Sequence, residues 1–149
     1  MTFGVRVMEI TVTARWDIEK SQGKVLTGDI NIADFDIPKE FGGSGSAASP
    51  EQLFMASVAS CMITTFIYLA KKLNLHVEEV FAEVSGRLER AEKGGYKIGN
   101  INVNIGVKVG KGEEKDAENC LRALDTYCII KNTLESPPPI TVRFEVKSA

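Results

Sequence analysis

Histidine is nearly absent and cysteine is scarce: the 149 residues carry one His and three Cys. Cys61, Cys120 and Cys128 contain no C-x-x-C pair and His76 is the sole imidazole, so the ligand set of a zinc module is missing. An odd, sparse cysteine count also excludes a secreted disulfide scaffold. Basic excess is lacking too. Eighteen Lys plus Arg face 20 Asp plus Glu, a net charge of -2, which argues against a protein that tracks nucleic-acid phosphates. The opening M-T-F-G-V-R-V-M-E-I holds no long apolar run, so no signal peptide and a cytoplasmic, reducing location are expected. No metal or organic cofactor is called for. The length fits a single domain over residues 1-149, at roughly 100–200 residues per domain.

Charge is missing altogether from residues 53–70, L-F-M-A-S-V-A-S-C-M-I-T-T-F-I-Y-L-A. Eighteen uncharged positions touch the length of a membrane span. Ser57, Ser60, Cys61, Thr64 and Thr65 dilute that run, and the flanking strand-like segments need a helix to cover them. The expectation is a helix buried on nearly all sides in a globular core, not a membrane segment. One small domain supplies too little cover for such a helix, so a second subunit is expected to complete it.

What is present alternates. Residues 5–16 and 24–32 are β-branched runs separated by a turn-rich stretch, which predicts a hairpin. Residues 33–48 form a loop ending G-G-S-G-S-A-A, without the strand, helix and lysine of a phosphate loop. Ser49, Pro50 and Gln52 then spell a capping box with proline at the first helical position, and the helix is expected to reach about Lys72. Two runs, 78–92 and 96–109, alternate around Gly94-Gly95 as a second hairpin. Ala117, Leu121, Leu124 and Cys128 recur at helical spacing, with a break expected near Tyr127. Pro137 to Pro139 stop that helix, and Ile140, Val142, Phe144 and Val146 alternate as a last strand. The expected order is β-β-α-β-β-α-β, an α+β fold with antiparallel sheets around a long central helix.

Taken singly, a free cysteine is most often a small buried hydrophobe, and Cys120, on the apolar stripe with no motif around it, is read so. Around Cys61 there is more. P-E-Q-L-F, a run of small residues, and a Cys ten positions after Glu51 together resemble the OsmC/Ohr family of osmotically induced and organic hydroperoxide resistance proteins. Cys128, late in the chain and followed by a short stretch ending T-L, stands in the family's second-cysteine place, and the element order agrees. The resemblance runs from about residue 10 onward. It implies an intertwined homodimer with two interfacial active sites, working as a thiol peroxidase on small-molecule organic hydroperoxides with a dithiol reductant.

By the same resemblance Cys61 is the peroxidatic thiol, Cys128 the resolving thiol, and Glu51 the residue that holds an activating Arg. Such a thiol attacks as thiolate, becomes a sulfenic acid and condenses with its partner. A thiol in mid-helix gains little from its own helix dipole, so a cation is expected beside it. Arg15 in T-A-R-W is the candidate; residues 33–49 hold only Lys39, a point charge without a bidentate grip. The chain departs from the family where Ile129-Ile130 follow Cys128 in place of small or polar residues. Ten residues of helix put Glu51 and Cys61 ~15 Å apart along the axis, so they cannot share one small site within one copy. Antiparallel helices crossing near Ala56 would bring Glu51 of one chain beside Cys61 of the other. The alternative is a slow redox sensor or a binder of small apolar ligands on the same fold.

Overall fold

Alternation and turn chemistry set the elements of the computed structural model, which describes residues 8–149. The order is β1 (Thr13–Asp17), β2 (Gln22–Thr27), β3 (Ile30–Phe35), a short 3-10 turn (Lys39–Phe41), α1 (Pro50–Lys72), β4 (Val77–Arg90), β5 (Tyr96–Val109), α2 (Glu114–Tyr127) and α3 (Ile129–Glu135). Strands β1-β2-β3 form one antiparallel sheet and β4-β5 another. The α+β class is as expected. By backbone contact the chain falls into two compact units, one ending at Phe54 and one running from Met55 to Ala149.

In the first unit the expected hairpin is a three-stranded meander. Residues 5–7 of the expected first strand lie outside the described residues, and pairing begins at Thr13. The single strand expected over 24–32 is divided, because Gly28 takes a positive φ of 56° and turns the chain so that Thr27 pairs with Ile30. A Gly-Asp dipeptide between apolar runs is a hairpin signal in its own right. Trp16, Gly23 and Phe35 form one cross-strand row. A Cβ on Gly23 would lie 2.1 Å from the Phe35 ring, so only glycine leaves room for that ring.

The loop after β3 is organised by one carboxylate. Asp36 is 2% exposed. It accepts hydrogen bonds from the Ser44 hydroxyl, from the Ser46 N–H and hydroxyl (2.9 Å each) and from the Ile37 N–H (2.7 Å). A buried carboxylate is tolerable only when so satisfied. The loop then enters α1 through the expected capping box: the Gln52 N–H donates to Ser49 Oγ (3.2 Å) and the Ser49 N–H to Gln52 Oε1 (2.9 Å).

In the second unit α1 buries Val58, Met62, Phe66 and Ala70, one residue per turn on a single stripe. Met62, Phe66 and Ala70 pack with Cys120, Leu124 and Cys128, and with half-buried Val80, Val103, Ile105 and Val107 of the hairpin. The alternation of β4 and β5 therefore serves this core, as expected. Burial of α1 on nearly all sides is not observed within one chain. Tyr68 is 53% exposed, and most residues off the stripe are half-buried or exposed. A two-stranded sheet and one helical hairpin can cover only one face. By length and composition α1 would also pass as a membrane span, but Phe66 on it is fully buried in the core it shares with Met62, Ala70, Leu124 and Cys128.

The expected last strand is not formed among the described residues. Ile140, Val142, Phe144 and Val146 are 76–89% exposed, and residues 137–149 hold no ladder. Alternation specifies a face but not a neighbour, and no strand edge of the described chain takes up these N–H and C=O groups.

Candidate active site

Two helices bring the separated cysteines together. Cys61 lies in the middle of α1, one residue from the buried stripe, and is half-buried. Cys128 lies at the break between α2 and α3, where its backbone turns extended (φ −71°, ψ 109°), and it is fully buried. The Cys128 thiol donates to Cys61 Sγ at 3.2 Å. A disulfide has sulfurs ~2.05 Å apart, so closing this pair needs a shift of only about 1 Å. Both thiols are free.

The break positions Cys128 by using its backbone twice. Its N–H closes the last turn of α2 on the Leu124 carbonyl, and its carbonyl opens α3 by accepting from Asn132, each at 3.0 Å. The N–H groups that start α3 are thereby left for Cys61. Burial pushes the Cys61 thiol up. Hydrogen bonds outweigh it: first the Ile130 N–H, then the Cys128 thiol, the Thr65 hydroxyl and the Ile129 N–H. The result is a thiol that ionises below its ordinary value of 9.0. Cys128 moves the other way. Burial raises it, the neighbouring Cys61 sulfur raises it further, and the N–H groups of Lys131 and Ile130 only partly offset this. One sulfur is thus the better thiolate and the other the better thiol donor. Cys120 sits in the core with its thiol raised by burial, then by Asp116, and has no partner sulfur.

Within one chain the groups that lower Cys61 are led by a backbone N–H of α3, and no cation is among them. Backbone donors carry no side-chain signature, so residue types could not reveal them. At the departure from the family, Ile129 and Ile130 act on the Cys61 sulfur through their main-chain N–H groups. Thr65 was also overlooked: its hydroxyl donates to the Cys61 carbonyl (2.7 Å) and lies 4.0 Å from Cys61 Sγ.

Glu51 stands in the first turn of α1, half-buried, and Arg15 is exposed on β1 opposite Lys24. Both belong to the first unit, while the two sulfurs belong to the second. Among the described residues Arg15 and Glu51 form no ion pair with one another. Lys39 opens the 3-10 turn of the loop. In the second unit Val58, Met62, Ile101, Val103, Lys131, Leu134 and Glu135 line a largely apolar cleft of about 380 Å³, which Met62 borders one residue after Cys61.

A family model described as OsmC-like protein matches residues 43–143. The fold is shared with an OsmC-like protein of unknown function from Vibrio cholerae at a TM-score of 0.72. That match is 17% identical over 86% of this chain and 94% of the other. An organic hydroperoxide resistance protein OsmC from Legionella pneumophila is 24% identical, covers 84% of this chain and 89% of its own, and gives a TM-score of 0.64. The uncharacterized protein YmaD of Bacillus subtilis is 22% identical over 139 residues, 90% of this chain and 91% of that protein.

Proposed function

The chain belongs to the OsmC-like family, and from that premise we propose that it is a cysteine-based peroxidase reducing organic hydroperoxides. The observation that carries this reading is the 3.2 Å approach of a lowered Cys61 to a raised Cys128. The Cys61 thiolate attacks the distal peroxide oxygen. The O–O bond breaks, the alkoxide takes a proton and leaves as alcohol, and Cys61 becomes a sulfenic acid. Cys128 then attacks the Cys61 sulfur and water leaves, giving the disulfide. A small dithiol restores both thiols by exchange and is itself oxidised. The largely apolar cleft bordered by Val58, Met62 and Val103 suits an alkyl or aryl substituent.

A homodimer belongs to the same reading. One face of α1 lacks cover in its own chain, and a second copy running antiparallel would supply it. Each site would then combine Cys61 and Cys128 of one chain with Glu51 of the partner subunit, and Glu51 would hold Arg15 toward the peroxide. On this view residues 1-149 make up one OsmC-like domain, working in the cytoplasm without a cofactor.

Peroxide consumption with cumene hydroperoxide and a dithiol tests the reading. Wild type should turn over repeatedly, Cys61→Ser should be inactive, and Cys128→Ser should turn over more slowly than wild type, because the added dithiol must then reduce the sulfenic acid directly. Activity of Cys61→Ser equal to wild type would refute it. A slower redox sensor is the second reading, favoured by the absence of a cation among the groups acting on Cys61. Consumption limited to one equivalent per chain in wild type would select it.

A further inference from the structure

The break at Cys128 is not made by a helix-breaking residue. Thr126 to Lys131 contain neither glycine nor proline, and Ile, Lys, Tyr and Leu nearby all tolerate a helix. A continuous helix through α2 and α3 is therefore open to the chain, and in it Cys128 would lose the extended backbone that aims it at Cys61. Side-chain bonds that only the broken form can make bear on the choice between the two.

Two such bonds span the break. Lys131 Nζ lies 2.6 Å from Asp125 Oδ1, and Asn132 Nδ2 donates to the Thr126 carbonyl at 2.9 Å. Both join residues six apart. On a continuous helix only partners three or four apart face each other, so neither bond could form there. Lys131 also pairs with Glu135 at 2.5 Å, but that spacing is four and suits either form. The lysine side chain is 27% exposed while Asp125 is 79% exposed, so the cation is the anchored member and the carboxylate reaches to it.

We propose that Lys131 is a positioning residue for the dithiol, and that its bridge to Asp125 selects the broken form of α2–α3 that keeps Cys128 against Cys61. The bridge thereby raises the effective concentration of one sulfur at the other. This role rests on the dithiol reading above. It does not depend on peroxide chemistry, because any oxidant closes the same pair: two thiols lose two hydrogens as glutathione disulfide becomes two glutathiones.

The test is the Cys61–Cys128 disulfide equilibrium of the full chain in glutathione buffers, read by thiol alkylation. Lys131→Met and Asp125→Asn should each move it roughly two- to five-fold toward the dithiol, within the range that loss of one exposed ion pair allows. Glu135→Gln should stay within about two-fold of wild type, since its pair does not discriminate between the two forms. Asp125 is exposed, so its substitution tests the bridge even where Lys131→Met fails to fold. A wild-type equilibrium in Asp125→Asn, or a shift in Glu135→Gln as large as that in Asp125→Asn, would overturn the proposal. A wild type that consumes no hydroperoxide would refute the peroxidase reading instead and leave this equilibrium measurable.

Discussion

Cys61 and Cys128 differ by environment, not by residue type. Cys61 collects hydrogen bonds to its sulfur, while Cys128 is enclosed and gives its hydrogen away. Alkylation by iodoacetamide should therefore label Cys61 first, at a pH where an ordinary thiol is still protonated. Cys128→Ala removes one of the donors and should move the Cys61 ionisation upward, seen in thiolate absorbance against pH. An unchanged titration curve would show that the thiol bond does not matter. Asp36 makes a separate prediction. Its serine hydroxyl and backbone donors, Ser44 foremost, lower it from 3.8 to about 2. Its contribution to stability is then complete above 3.8 and is lost as pH falls through about 2. Asp36→Asn should flatten the acid limb of the unfolding profile in that window, and a profile parallel to wild type would count against the assignment.

At the scale of elements, α1 is the part most readily read from sequence. Ser49, Pro50 and Gln52 announce its start, and the capping bonds are formed. Ser49→Ala should cost about 1 kcal/mol in denaturant unfolding. Phe66, wholly buried at the centre of the core, should cost about 3–5 kcal/mol on truncation to Ala. That is a large share of the ~5–15 kcal/mol that holds a typical domain together. The second hairpin was equally legible, because its alternation matches a face that is buried. Two elements were not. The Gly28-Asp29 turn was passed over within a β-branched run, although glycine there permits the positive φ that divides it. The last strand was expected from alternation at residues 140–146, yet a strand needs an edge to pair with, and sequence pattern names none. The break at Cys128 was expected near Tyr127. The bonds that span it join residues six apart, side-chain pairings that the apolar periodicity does not register.

The whole molecule turns on an imbalance between its longest helix and the cover that one chain provides. A helix uncharged from residue 53 to 70, with a single buried stripe, leaves apolar surface that a second copy would bury. Sedimentation of the reduced protein should give a dimer, and a monomer at micromolar concentration would contradict the shared-site arrangement. The division of labour within that dimer is also testable. Mixed dimers of Glu51→Ala and Cys61→Ser chains place one intact Glu51 beside one intact Cys61 across the interface. They should recover activity that neither parent shows alone; no recovery would assign Glu51 elsewhere. The two cysteines were identified from a motif and from chain order, and the 3.2 Å between their sulfurs was beyond sequence, since 67 residues separate them. The decisive readout is intact mass and peptide mapping of reduced wild type after one equivalent of cumene hydroperoxide. The account predicts loss of two hydrogen atoms per chain, with the new disulfide joining Cys61 to Cys128. An unchanged mass, or oxygen accumulating on Cys61 while Cys128 stays free, would contradict it.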